Sequence, residues 1–270
     1  MLRVKSLLVK ITGLILSCAL CLLACSSKPR ENDEITLGTI TGPETRLVEV
    51  AKEVALKEYH LKINIVNFED YVMPNTALVE GAIDANMFQH EPFLNIVIAK
   101  QGYKIKPIAK MFIYPVGFYS TKYHNLSALP TGATIGIPND PSNGARALRL
   151  LAQAKLITLP ELNDFELTPD KILQNPHHLL IKEFPAAQLP RVLPDLDAAV
   201  INTNYATTAG LLLKNALFVE NRDSPYANVI AVREGDEKEE KYQRLIKALH
   251  SDAVKAEAKR LFDDSAIPAW

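Results

Sequence analysis

The sequence contains little cysteine. Cys18, Cys21 and Cys25 are the three cysteines of a chain of 270 residues. Cys18 and Cys21 lie in an apolar N-terminal segment that we expect to be removed as a signal peptide, which leaves no thiol pair in the mature chain. A fold held together by disulfide bonds is therefore excluded, and a buried apolar core must stabilise it.

The sequence also lacks the common signatures of enzymes. It contains no GxSxG, GxGxxG, GxxxxGK[ST] or HExxH motif, and its six histidines are scattered. Its 30 basic and 31 acidic residues are interspersed, so no basic patch for nucleic acid stands out. We therefore expect a protein without catalytic activity, cofactor, metal site or nucleic-acid partner.

No apolar run is long enough to cross a membrane comfortably. After Arg3, Lys5 and Lys10, the apolar run 11–24 ends in Leu-Leu-Ala-Cys. This pattern is typical of a secretory signal peptide, and its last four residues resemble the lipobox of bacterial lipoproteins. We expect a signal peptide at 1–24, a lipid on Cys25 and a polar tether over 25–34. The lipid would anchor the protein to the cell membrane or outer membrane, facing the periplasm or the exterior.

Beyond the tether, strand and helix signals alternate along the chain. Residues 35–40 have the pattern of a strand, and Thr41 followed by Glu44 fits a capping box for a helix over 43–59. This alternation predicts an α/β fold with mostly parallel sheets. Extended segments near 115 and 225 predict two lobes joined by two crossover segments. We expect the first lobe to comprise 35–116 and 226–270, and the second to comprise 117–225.

The segment 139–146, NDPSNGAR, follows a predicted strand and opens a predicted helix. Free backbone N–H groups and the positive end of the helix dipole favour an anion at such a place. Arg146 can add a bidentate fork, so a carboxylate is the natural occupant. The alternative interpretation is a helix cap followed by a solvated arginine.

Aromatic and amide side chains follow other predicted strand ends, where open α/β sheets bind ligands. A slot of rings suits a thioether, and amide oxygens can accept hydrogen bonds from an ammonium group. Any one of the rings is also consistent with core packing, which we favour for Phe68, Phe93 and Phe118, and each amide with a turn. The candidates are Tyr71, Phe88, His90 and Tyr114 among the rings, and Asn202 and Asn228 among the amides.

Seven motifs occur in one order between the lipobox and the carboxyl terminus: DYVMPN, IDANMFQHEPFL, IYPVGFYS, IPNDPSNGAR, QLPR, AAVINTNYA and FVENRDSPYANVI. Together they resemble the methionine-binding lipoproteins of the MetQ/NlpA family. The resemblance implies a two-lobed periplasmic-binding-protein fold of type II. It also implies that the protein delivers D- or L-methionine to the permease and ATPase of an ABC importer.

The resemblance further implies a role for each matching residue. Arg146 would pair with the ligand carboxylate, and the lobes would close around the bound molecule. Three amides would hold its ammonium and carboxylate ends: Asn143, Asn202 and Asn228. The thioether of the ligand would be surrounded by Tyr71, Phe88, His90 and Tyr114, with Tyr205 as a weaker candidate.

Two other functions stay open at this point. A related envelope lipoprotein of the same fold could bind another small amino acid or a methionine-containing dipeptide. Alternatively, the chain could serve a surface or adhesive role, since Ser26 after Cys25 permits sorting to the outer membrane in Gram-negative cells.

Overall fold

The computed structural model describes residues 33–161, 165 and 167–270. The predicted signal peptide 1–24, the predicted lipidation site Cys25 and the predicted tether up to residue 32 lie outside the described residues. Glu34, which we predicted as tether, is instead the first residue of a strand. In the described part of the chain, no helix combines the length and apolarity needed to span a membrane.

Strands and helices alternate over most of the described chain. The strands are β1 Glu34–Ile40, β2 Lys62–Phe68, β3 Ala85–His90, β4 Ile105–Ile113, β5 Gly117–Tyr119, β6 Thr134–Pro138, β7 Leu180–Phe184, β8 Ala198–Ile201, β9 Phe218–Val219, β10 Ala227–Arg233 and β11 Ile267–Pro268. The α-helices are α1 Pro43–Tyr59, α2 Met73–Val79, α3 Glu91–Gln101, α4 Pro141–Gln153, α5 Leu189–Val192, α6 Thr203–Thr208, α7 Glu240–Leu249 and α8 Asp252–Phe262.

The strands form two sheets. Sheet 1 has the order β11-β4-β10-β3-β1-β2, and sheet 2 has the order β7-β6-β8-β5-β9. In sheet 1, β1 is parallel to β2 and β3, whereas β10 is antiparallel to both β3 and β4. In sheet 2, β6 is parallel to β7 and β8, whereas β5 is antiparallel to β8 and β9. The expectation of mostly parallel sheets is therefore wrong, because strands that follow a crossover enter each sheet in the reverse direction.

The chain passes between the sheets twice, as predicted. The extended stretch 105–120 divides into β4 in sheet 1 and β5 in sheet 2, with Pro115 between them. The return lies between β9 in sheet 2 and β10 in sheet 1. The fold is thus a two-lobed α/β fold with two crossover segments. We call sheet 1 with its packed helices the first lobe, and sheet 2 with its packed helices the second lobe.

Each lobe has its own apolar core. Helix α1 covers sheet 1 with one apolar face, burying Leu47, Val48, Ala51 and Ala55. Helix α4 covers sheet 2 in the same way, and Leu148 is one of its fully buried residues. Burial of a leucine or valine side chain stabilises the fold by ~1.5–3 kcal/mol, so these faces hold the helices on the sheets without disulfides.

Helix α1 begins differently from the capping box we predicted. Its N-cap residue is Gly42, and no side chain caps the helix. Gly42 has φ +135°, where a Cβ would lie 2.7 Å from Oγ1 of Thr208, so the entry to the helix requires glycine. Thr41 donates its hydroxyl hydrogen bond to Oε1 of Glu69 instead. Glu44 is therefore free of a capping role.

The topology places the candidate residues at facing strand ends. The carboxyl ends of parallel strands share one edge of a sheet, where ligands bind in open α/β folds. In sheet 1 this edge carries the loop after β2 and the end of β3, and Asn228 at the start of antiparallel β10 pairs with His90. In sheet 2 the corresponding edge leads from β6 into α4 and from β8 into α6.

Candidate functional site

A cavity lined by both lobes lies at these strand ends. The space in it that protein atoms do not fill, open solvent included, is about 410 Å³. Every residue of the predicted binding set lines it. The lining residues are Glu44, Tyr71, Phe88, Gln89, His90, Phe93, Tyr114, Asn143, Arg146, Asn202, Thr203, Asn204 and Asn228.

Aromatic rings from the first lobe form one wall of the cavity. The ring centroid of Tyr71 lies 5.9 Å from that of Phe88 and 6.1 Å from that of Phe93. From the second lobe, the ring of Tyr205 approaches Tyr71 to 5.0 Å. Rings at these distances and tilts pack favourably against each other, and they offer faces and edges to a polarisable group.

His90 is a neutral hydrogen-bonding residue in this wall. Its Nδ1 accepts a hydrogen bond of 3.1 Å from the backbone N–H of Phe93, which places the ring proton on Nε2. Nε2 lies 3.2 Å from Oδ1 of Asn143 in the second lobe and donates to it. Burial, and next the nearby charge of Arg146, lower the pKa of His90 to about 3. The imidazole is therefore uncharged at neutral pH.

Arg146 is buried and is held by the two crossover segments. Its Nε and Nη2 donate to Oε1 and Oε2 of Glu220 at 2.9 and 2.5 Å, and Nη2 also donates to the backbone oxygen of Tyr114. The guanidinium carbon lies 4.3 Å from the ring centroid of Tyr226. Among the described residues, Nη1 has no hydrogen-bond partner. The bidentate fork that we expected to face a ligand is therefore taken by Glu220, and Nη1 is left for one.

Asn143 makes its side-chain hydrogen bonds within the protein. Its Nδ2 donates to both carboxylate oxygens of Asp140 at 3.0 Å. Its Oδ1 accepts from His90 and, at 2.8 Å, from Nδ2 of Asn202. Asn143 thus positions His90 and Asn202, and its direct contact with a ligand stays a prediction.

Glu44 and Asn228 form the polar part of the first lobe's wall. Nδ2 of Asn228 donates to Oε1 of Glu44 at 2.8 Å and lies 3.3 Å from the backbone oxygen of Phe88. Burial raises the pKa of the Glu44 carboxyl to about 8, although the hydrogen bond from Asn228 opposes the rise. Glu44 is therefore mostly protonated at neutral pH.

Direct hydrogen bonds join the two walls across the cavity. Besides the His90–Asn143 pair, Oη of Tyr71 donates to Oδ1 of Asn204 at 2.7 Å. Oη of Tyr205 donates at 3.4 Å to the backbone oxygen of Glu69. These bonds cross from one lobe to the other, so the lobes are in contact around the cavity.

Sequence reasoning missed several residues of this site. Glu44 was interpreted as a helix cap and Phe93 as core, and the Arg146 partners Glu220 and Tyr226 were not singled out. Asn204 shares the motif AAVINTNYA with Asn202, which is the signal that could have identified it. The missed lining residues are Glu44, Gln89, Phe93, Thr203 and Asn204.

Within residues 33–161, 165 and 167–270, no group of three or more His, Cys, Asp or Glu side chains could hold a metal ion. What the cavity does contain is a cationic guanidinium, a buried carboxyl, several amides and a ring cluster. Such a set can pair both charged ends of a small zwitterion and enclose an apolar tail.

Comparisons with known proteins identify the family of this chain. The family model described as NlpA lipoprotein matches residues 35–270. The chain is 41% identical over 252 residues to the "Probable D-methionine-binding lipoprotein MetQ" of Vibrio cholerae, covering 93% of this chain and 94% of that protein.

Two solved structures are similar over the body of the chain. An ABC transporter periplasmic substrate-binding protein from Coxiella burnetii has a TM-score of 0.85 and 53% identity, covering 87% of this chain and 100% of its own. A nutrient binding protein from Burkholderia cenocepacia bound to methionine has a TM-score of 0.86 and 43% identity, with the same coverage of 87% and 100%. The chain therefore belongs to the NlpA lipoprotein family.

Proposed function

We propose that this protein is a lipid-anchored substrate-binding protein that delivers methionine, as the D or L isomer, to an ABC importer. The single observation that carries the proposal is the buried cavity in which Arg146 from one lobe faces a ring cluster from the other. The methionine bound by the Burkholderia relative supports the choice of ligand.

In this proposal the ligand's carboxylate pairs with Nη1 of Arg146 and its thioether lies among Tyr71, Phe88 and Phe93. A free carboxylate buried without a partner costs several kcal/mol, which is why a guanidinium is placed there. Thioether sulfur beside an aromatic ring contributes ~0.3–1.5 kcal/mol, so the rings favour methionine over an aliphatic side chain of equal length. The protein binds and releases its ligand and makes no covalent bond.

Delivery works through lobe closure. We propose that residues 35–116 and 226–270 move as one lobe and residues 117–225 as the other. A ligand that contacts both lobes favours the closed arrangement by the difference between its interactions in the two states. The hydrogen bonds from Tyr71 and His90 to the opposite lobe support this mechanism, because they form only when the lobes meet. The importer's permease and ATPase would receive the closed form.

The proposed location of the protein depends on a lipid anchor. A lipid on Cys25 would hold the protein on the outer face of the cell membrane or on the outer membrane, and the family's designation as lipoproteins supports this.

Calorimetry tests the proposed function. The purified protein is unfolded, freed of bound ligand, refolded and titrated with L- and D-methionine, and mass spectrometry identifies whatever copurified. We expect saturable binding of methionine at one site. Absence of methionine binding, with a different amino acid or a dipeptide recovered from the purified protein, would refute methionine as the ligand.

A further inference from the structure

Three buried side-chain amides join helix α2 to strand β3 within the first lobe. Asn75 in α2 and Asn86 and Gln89 in β3 are each at most 3% exposed, and we call them the amide cluster. Gln89 lines the cavity, whereas Asn75 and Asn86 do not. The proposed contacts to the ligand's carboxylate and thioether leave the amide cluster without a role.

The hydrogen bonds of the amide cluster are made among its own members. Nδ2 of Asn75 donates to Oε1 of Gln89 at 2.7 Å, and Nε2 of Gln89 donates to Oδ1 of Asn75 at 2.7 Å and to Oδ1 of Asn86 at 3.0 Å. Nδ2 of Asn86 donates to Oδ1 of Asn75 at 2.9 Å and to the backbone oxygen of Pro74 at 3.3 Å. Because both N–H donors of Gln89 are used in this way, Gln89 has none left for a ligand.

A bulge in β3 makes this arrangement possible. In a regular strand, residues three apart point to opposite faces of the sheet, so Asn86 and Gln89 would not meet. The register between β3 and β10 shifts between Asn228 and Ile230, and β3 has one residue more than β10 over this stretch. Bulges of this kind redirect side chains next to functional sites. The bulged stretch also carries Phe88 of the ring cluster.

Helix α2 depends on other parts of the fold for its position. It has seven residues, and no side chain caps its first turn. A helix this short is not stable on its own hydrogen bonds, so tertiary contacts must hold it in place. These contacts include the buried side chains of Ala77 and Leu78 and, in the first turn, the hydrogen bonds of Asn75. Tyr71 lies two residues before α2, so the amide cluster links the loop of Tyr71 to the strand of Phe88.

We propose that Asn75 is a positioning residue for ligand recognition. Through the amide cluster it holds the bulged end of β3 against α2, and it thereby sets the spacing of Tyr71 and Phe88, whose ring centroids are 5.9 Å apart. This inference rests on the proposed function and deepens it, because the spacing of the rings determines the preference for a thioether over a methylene group. Asn75 acts through other residues and does not touch the ligand.

Asn75→Leu and Thr76→Val test this role. Asn75→Leu keeps a side chain of similar size but leaves donors of Gln89 and Asn86 without their acceptor. We expect the ratio of methionine to norleucine affinity, measured by calorimetry, to fall by about 2- to 10-fold. Thr76 is the next residue of the same helix, and its hydroxyl lies 3.0 Å from Oη of Tyr103. Thr76→Val removes that hydrogen bond and should leave the ratio unchanged.

The double variant Asn75→Leu, Phe88→Leu separates positioning from general destabilisation. If Asn75 acts through the ring of Phe88, Asn75→Leu should no longer change the ratio once that ring is absent, so the two effects are not additive. An equal effect of Asn75→Leu with and without the ring would overturn the proposal.

Hydrogen exchange of the ligand-free protein tests the same role without any ligand. Asn75→Leu should raise the rate of amide exchange in segments 69–72 and 86–90 by about tenfold or more, whereas Thr76→Val should not. Thermal melts establish that each variant folds. If Asn75→Leu does not fold, Asn75→Ser takes its place, and the same changes are expected because it also removes the amide.

Two results would overturn the role of Asn75: unchanged exchange in both segments, or raised exchange with an unchanged ratio of affinities. If the unaltered protein does not bind methionine, the proposed function is refuted. The exchange rates of segments 69–72 and 86–90 then decide by themselves whether Asn75 holds these segments in place.

Discussion

The two lobes contribute different chemistry to the cavity. The first lobe supplies the ring cluster and Glu44, whose one hydrogen-bonding partner among the described residues is the neutral amide of Asn228. The second lobe supplies Arg146, and the return crossover supplies Glu220, which pairs with it at 2.5 Å. Both glutamates are buried, yet of the two Glu220 alone has a partner of opposite charge among the described residues.

This difference separates a buried charge that is paired from a buried carboxyl that has no counter-charge among the described residues. Arg146 and Glu220 neutralise each other and also tie α4 to both crossover segments. Glu44 has no such counter-charge, so its carboxyl takes up a proton when buried. The charge of Arg146 in the second lobe's wall is therefore compensated within the protein, whereas the Glu44 carboxyl in the first lobe's wall is held mostly in its neutral form.

Arg146→Ala should have the largest effect. It removes the proposed partner of the ligand carboxylate and leaves Glu220 buried without a cation. We expect methionine binding to weaken by ~30-fold or more and the free energy of unfolding to fall by about 3–5 kcal/mol. Calorimetry measures the first quantity and urea unfolding the second.

The double variant Arg146→Ala, Glu220→Gln separates the two effects. Removing the uncompensated carboxylate should recover part of the lost stability but none of the methionine affinity. Full methionine binding in Arg146→Ala would end the assignment of the cavity as the binding site.

The unpaired state of Glu44 predicts a pH dependence of stability. Its pKa is about 8 in the folded protein and near the usual 4.5 when unfolded, so the folded state holds an extra proton between these values. Between these values Glu44 therefore makes the ligand-free protein less stable as the pH rises. His90, whose pKa is lowered to about 3 in the folded protein, acts in the opposite direction up to its usual value near 6.5, so the net decline should lie between pH 6.5 and pH 8. The slope from Glu44 is at most about 1.4 kcal/mol per pH unit.

Urea unfolding of the ligand-free protein between pH 6.5 and pH 8 measures this slope. Glu44→Gln removes the titrating group, so its profile should be flatter by that amount. If the free energy of unfolding varies with pH in the same way in both proteins, Glu44 is ionised in the ligand-free fold.

Phe88→Leu should have the smallest effect. It keeps an apolar side chain but removes one ring of the cluster with Tyr71 and Phe93. Because the sulfur–ring contribution is modest, we expect the ratio of methionine to norleucine affinity to fall by about 2- to 10-fold.

Phe118→Leu is the matched control for this substitution. Phe118 is fully buried in the second lobe's core, so its replacement should lower stability and leave the affinity ratio unchanged. If Phe88→Leu also leaves the ratio of methionine to norleucine affinity unchanged, the rings do not contribute to the proposed recognition of sulfur.

The sequence predicted elements with strong local signals well. The crossover at Pro115 and the two-lobed α/β fold both follow from the order of strand and helix signals. The direction of β5 and β10 did not follow, because strand direction depends on how the chain returns after a crossover. The lobe boundaries and the ligand contacts stay predictions.

What the sequence by itself determined is which residues stand at strand ends or in the helix that follows a strand, because periodicity and turn residues are local properties. His90, Arg146 and Asn228 could therefore be named as candidates before any coordinates. Only the tertiary structure decided their partners: Glu220 beside Arg146, Asn143 beside His90, and Glu44 turned into the cavity. Each of these contacts joins residues far apart in the chain. A local sequence pattern does not show which charged groups are buried or which groups lie beside them.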